Sequence, residues 1–106
     1  MELTFSHSGV PVSEKREGMR YAAPMKLWVS DPAASPDSVE YLYFEPDSPA
    51  PEIMKTHRHA AFNTDSMEQA AAWCDEVVLG PFDDGPEQDV MFARKGDALI
   101  EFCCKK

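Results

Sequence analysis

The chain has 106 residues, 43% of them hydrophobic, which suits one domain with its own core yet is small enough that a second subunit would help to stabilise it. Its 19 acidic and 10 basic side chains leave a formal charge of -9, and no run of lysine or arginine could follow a phosphate backbone, so a nucleic-acid partner is not expected. No apolar segment approaches the roughly 20 residues that span a bilayer, and residues 1–12 lack a basic region followed by an apolar run. The expectation is a soluble, cytoplasmic protein without a membrane partner.

Three cysteines, Cys74, Cys103 and Cys104, make an odd number, and neighbours on a strand point to opposite faces, so a reduced set of thiols is expected. The terminal CCKK lacks the aliphatic pair that prenylation wants and reads as a strand end finished by solvated lysines.

In chain order, residues 3–10 (LTFSHSGV) alternate apolar with small or polar side chains, as a half-buried strand does, and place His7 within it. Residues 13–20 (SEKREGMR) are charged and interrupted by Gly18, which predicts a loop. Residues 25–29 (MKLWV) read as a short strand. The turn chemistry of SDPAASPDS then predicts an antiparallel return into residues 39–45 (VEYLYFE), an aromatic and β-branched strand. There Glu40, Leu42 and Phe44 share one face, and Val39, Tyr41, Tyr43 and Glu45 the other. Three prolines in residues 46–51 predict an extended connector at the seam between two halves, residues 1–51 and 52–106.

The second half opens with a predicted strand from His57 to Phe62, on which His57 and His59 would share a face. Asp65 with Glu68 three residues on predicts a capping box, and Met67, Ala70, Ala71 and Cys74 follow as one apolar stripe of a helix. Val77, Val78 and Leu79 read as a strand ended by Gly80-Pro81. Strands over residues 89–94 and 98–104 follow, joined by a hairpin tip at Lys95-Gly96-Asp97.

A weak repeat runs through the halves: a strand carrying His opens each (His7, His59), and a strand carrying Glu after an aliphatic residue closes each (Val39-Glu40, Ile100-Glu101). The spacing is 33 residues from His7 to Glu40 and 42 from His59 to Glu101, and the excess matches the helix predicted only in the second half. Two imidazoles and two carboxylates would make a mixed N/O site for a divalent cation, with Zn, Ni, Mn, Co and Fe all suited to such ligands.

The run HAAFNTD at residues 59–65, a short helix, VLGPF at 78–82, VMFA at 90–93 and ALIEF at 98–102 together resemble the second module of the vicinal oxygen chelate superfamily. That group includes glyoxalase I, methylmalonyl-CoA epimerase, extradiol dioxygenases, and the fosfomycin and bleomycin resistance proteins. The resemblance implies an α+β fold of two βαβββ modules forming a cupped mixed sheet, the helix of the first missing or reduced. It also puts His7, Glu40, His59 and Glu101 at the superfamily's metal-ligand positions. The apolar face of Tyr41 and Tyr43, lacking that helix, would favour a homodimer.

The implied chemistry is that of a glyoxalase-like lyase or isomerase. A divalent ion binds two neighbouring oxygens of a small carbonyl or hydroxyl substrate and stabilises an enolate, with Glu101 first and Glu40 second as the base. Arg94, Lys26 and Arg58 are candidates for holding an anionic group. The alternative is a non-catalytic protein that sequesters a flat ligand between aromatics such as Trp28, Phe44 and Phe92, similar to bleomycin resistance proteins. A cupin-type reading of His57-x-His59 lacks its downstream histidine. A nucleophilic Cys74 or Cys103 is disfavoured by an apolar helix face for one and a neighbouring carboxylate for the other.

Overall fold

A computed structural model describes residues 1–106. The chain is α+β, mostly strand with few helices, and divides into two compact units, His7–Arg58 and a second made of Met1–Ser6 with His59–Lys106.

In the first unit, β1 (Leu3–Pro11, its opening residues through Ser6 belonging to the second unit) lies parallel to β4 (Val39–Phe44), with Gly9 opposite Glu40 and Pro11 opposite Leu42. β4 pairs antiparallel with β3 (Leu27–Val29), and β3 with β2 (Arg20–Ala22), giving the order β2-β3-β4-β1. The register puts Leu27, Val29, Leu42 and Phe44 on one face, where they pack with Ala22 and Met25. The predicted antiparallel return between β3 and β4 is found, started by Asp31, whose carboxylate accepts from Ala33 N at 2.9 Å. β2 has no counterpart in the sequence reading: three residues ending a charged segment carry too little periodicity to reveal a strand. Lys26, expected in a strand, turns out of a short 3-10 segment (Ala23–Met25) with φ +48.

Residues 12–19 form a loop, where one was expected over 13–20; Arg20 belongs to β2. Its side chains reach the aromatic face: Lys15 Nζ lies 4.1 Å from the Trp28 ring centre and Arg16 the same distance from that of Tyr41, while Met19 is buried. Tyr41 and Tyr43 are therefore half-buried rather than bare, which corrects the open face expected of them. The connector over residues 46–51 holds no helix or strand. After Pro51 the chain makes α1 (Glu52–Thr56), a single turn with Glu52 at its start, Lys55 at its end and Met54 buried.

In the second unit, β5 (His59–Thr64) lies parallel to β8 (Ala98–Lys105), β8 pairs antiparallel with β7 (Gln88–Lys95), and β7 with β6 (Glu76–Asp83), giving β5-β8-β7-β6. The strand begins two residues later than predicted, because α1 ends at Thr56 and His57 caps it. α2 (Met67–Trp73) lays Ala70 on one face of this sheet, packing with Met91, Ala93, Ile100 and Phe102, and with Met67, Ala71 and Cys74 at the margin. Its N-cap is Ser66, whose hydroxyl accepts from Gln69 N at 3.1 Å; Asp65, expected to cap, instead accepts from Glu2 N at 2.9 Å.

β6 continues through Gly80-Pro81, where the sequence predicts a stop. Register shifts on either side of Leu79 absorb the pair, and the Gly80–Pro81 bond is cis. Gly80 sits at φ +94, where an added Cβ would lie 2.8 Å from the Val90 carbonyl oxygen. Gly80→Ala should therefore cost about 1–3 kcal/mol, read as a lowered midpoint in chemical denaturation with an unchanged slope.

The Glu2 amide holds the Asp65 carboxyl below its ordinary value of 3.8. A group depressed in this way contributes stability that is fully present above the unfolded value and is lost as pH falls through the folded one. NMR should show the Glu2 amide shift tracking an acid-range titration below 3.8, and Asp65→Asn should remove that titration.

Candidate functional site

Each unit carries one His–Glu pair, built the same way. In the second unit Ala61 stands opposite Glu101 across β5 and β8, and His59 is two residues before Ala61, so histidine and glutamate leave the same face. The His59 Nε2 to Glu101 Oε1 distance is 3.0 Å, and both residues are buried. In the first unit Gly9 stands opposite Glu40 across β1 and β4, and His7 is two residues before Gly9. His7 Nε2 lies 3.8 Å from Glu40 Oε1, with His7 buried and Glu40 half-buried. Thus the weak repeat seen in sequence is a repeat of register: the same offset on the same kind of parallel pair. The residue facing each glutamate is small, Gly9 or Ala61, leaving room for a carboxylate beside an imidazole.

The surroundings of the second pair are better defined. Phe92, opposite Glu101 on β7, sets its ring edge-to-face against His59 with centres 5.1 Å apart. Cys103, two residues along β8, donates to Glu101 Oε2 at 3.5 Å, so both oxygens of that carboxylate are engaged. Glu101 is thus oriented by its neighbours and withdrawn from water. Each of the four residues offers one ligand atom of the kind a divalent cation takes, imidazole nitrogen or carboxylate oxygen.

Of the other residues singled out in sequence, most are occupied elsewhere. His57 is exposed, outside β5, and its Nδ1 lies 2.8 Å from Thr56 Oγ1, so the expectation that it shares a strand face with His59 is corrected. Arg94 is held by Glu76 at 3.2 Å and Asp75 at 3.7 Å and donates to Gly96 O; Lys26 is held by Asp47. Arg58 is exposed just before β5. Trp28 pairs with Tyr43, and Leu27 with Phe44, which puts Trp28 and Phe44 on opposite faces of one sheet, so these two cannot sandwich a ligand between them. None of the three cysteines is in a disulfide. Burial pushes the Cys74 thiol up, as suits a core residue rather than a nucleophile.

No family model and no curated protein matches the chain. Among solved structures, the crystal structure of hypothetical protein BH1468 from Bacillus halodurans C-125 is similar with a TM-score of 0.60 and 21% identity, covering 100% of this chain and 96% of that one. That likeness supports the α+β fold. No helix of the chain is long and apolar enough to cross a membrane.

The role of the small residue facing each glutamate can be tested. Ala61 is fully buried, so Ala61→Leu should overpack the space between His59 and Glu101 and cost about 1–3 kcal/mol in denaturation. Leu3→Ala, farther along the packing, should leave the His59 imidazole resonances in place where Ala61→Leu displaces them.

Proposed function

We propose that the chain is a divalent-metal-dependent enzyme of the glyoxalase type, a lyase or isomerase acting on a small oxygen-rich substrate. In this reading the two units are βαβββ-type modules, the first with a loop in place of its helix, and His7, Glu40, His59 and Glu101 together hold one cation. The observation that carries it is the identical register offset of the two His–Glu pairs, since a structural ion pair has no reason to recur at the same offset in both halves.

The donor set fits the group. Two imidazole nitrogens and two carboxylate oxygens suit a borderline divalent ion, and the two negative charges balance its two positive ones. Such a cation, when bound, supplies Lewis-acid stabilisation of the oxygens of an enolate. The chain's own residues do the rest. Glu101 is the first candidate to accept the proton beside a carbonyl, its carboxylate already oriented by His59 and Cys103; Glu40 is the second. Phe92 keeps water from the imidazole side.

Elemental analysis of protein purified without chelators should find one divalent ion per chain, with His59→Ala and Glu101→Ala each losing it while remaining folded. Metal retained by both variants would refute the assignment, and two ions per chain would mean that each pair binds alone. Exchange of the proton beside a substrate carbonyl into deuterated water should fall at least about 100-fold in Glu101→Gln.

A further inference from the structure

The two glutamates of the candidate cluster have unlike neighbours on their own strands. Two residues beyond Glu101 on β8 stands Cys103, 4% exposed, and two residues beyond Glu40 on β4 stands Leu42, 2% exposed. Side chains two apart on a strand leave the same face, so each lies beside its glutamate. A thiol has a proton to donate, whereas an isobutyl group has none. The repeat of register thus carries a chemical difference at this position.

Cys103 divides the Glu101 carboxylate. Its thiol donates to Oε2 at 3.5 Å, while Oε1 lies 3.0 Å from His59 Nε2. A spacing of 3.0 Å between Nε2 and Oε1 suits two ligand atoms on one ion with bonds of roughly 2.0–2.1 Å, so these two can turn to a cation together. Oε2 is held on the other side, in a place withdrawn from water, since His59, Glu101 and Cys103 are all buried. A carboxylate that keeps this bond offers an ion one oxygen, and one that loses it can offer two. The count bears on the choice of ion: zinc settles in four-coordinate sites of nitrogen, sulfur and oxygen, whereas manganese favours an octahedral, oxygen-rich shell.

We infer that Cys103 is a positioning residue that selects the metal: by holding Glu101 Oε2 it confines that carboxylate to a single ligand oxygen, Oε1, and biases the centre toward zinc over manganese. This rests on the metal-dependent reading above and adds to it the class of ion. Cys103 acts through Glu101 and is not itself a ligand. Hydrogen-bond partners of this kind, one step behind the ligands, tune metal affinity because they fix how the ligand is presented.

The test measures zinc and manganese affinities separately, by competition with a chromophoric chelator, on the full chain stripped of metal and kept reduced. Cys103→Ala and Cys103→Val, which lack the donor and bracket the cysteine in volume, should each lower the zinc-to-manganese affinity ratio about tenfold. Cys103→Ser, which restores a donor, should recover part of it, and Cys104→Ala, on the opposite face of β8, should leave the ratio unchanged. A purely structural role would weaken both ions alike and keep the ratio. An unchanged ratio in both donor-less variants, with zinc bound one to one, overturns the role of Cys103 and leaves the metal reading standing. A sulfur-to-cobalt charge-transfer band in the cobalt-loaded wild type that Cys103→Ala abolishes makes the thiol a ligand and overturns the role too. A wild type that binds neither ion overturns both.

Discussion

Two parallel strand pairs govern what this chain can do. Because β1 runs beside β4 and β5 beside β8 in the same register, a histidine on the first strand and a glutamate on the last leave the sheet together in each unit. A slip of one residue in either pair would turn the glutamate to the opposite face, into the packing of α2 in the second unit or among the tyrosines in the first. In the second unit Phe62 of β5 packs against the buried cluster of Ala70, Met91, Ala93, Ile100 and Phe102, which favours the register that keeps it there.

The two faces of the second sheet divide the labour. Ile100 and Phe102 lie under α2, while Leu99, Glu101 and Cys103 alternate with them on the other face with His59 and Phe92. A strand that reads simply as apolar, ALIEFCC, is therefore two lists interleaved, one under α2 and one on the face of His59. In the first sheet the buried cluster of Leu27, Val29 and Leu42 shares the face of Glu40 instead. Its outer aromatic face is covered by the cations of a loop instead of a helix, so Lys15 and Arg16 serve packing through their stems and their charge over Trp28 and Tyr41. Charge on this acidic protein is thus spent partly on structure: Arg94, Lys26 and Lys106 are each tied to acids at the surface.

Much of the candidate cluster was legible beforehand. His7, Glu40, His59 and Glu101 lie on strands whose alternation is clear in the sequence, and the pairing of each histidine with its glutamate follows once the first and last strands of each half are neighbours. β2 was not legible, since it is three residues long and has no pattern to mark it; neither was the contact of Phe92 with His59, which arises from a cross-strand neighbour 33 positions away. The faces of Trp28 and Phe44 depend on where β3 starts, and a strand shorter than predicted leaves that open.

The sequence by itself determined the strands other than β2, the helix that follows Ser66 and the repeated order of histidine and glutamate, because each depends on local alternation or on a cap within a few residues. Tertiary structure alone decided the register that makes the two pairs equivalent, the single turn of α1 that frees His57 from the strand, and the passage of β6 through Gly80-Pro81. All three depend on burial of side chains distant in sequence, which no local pattern contains.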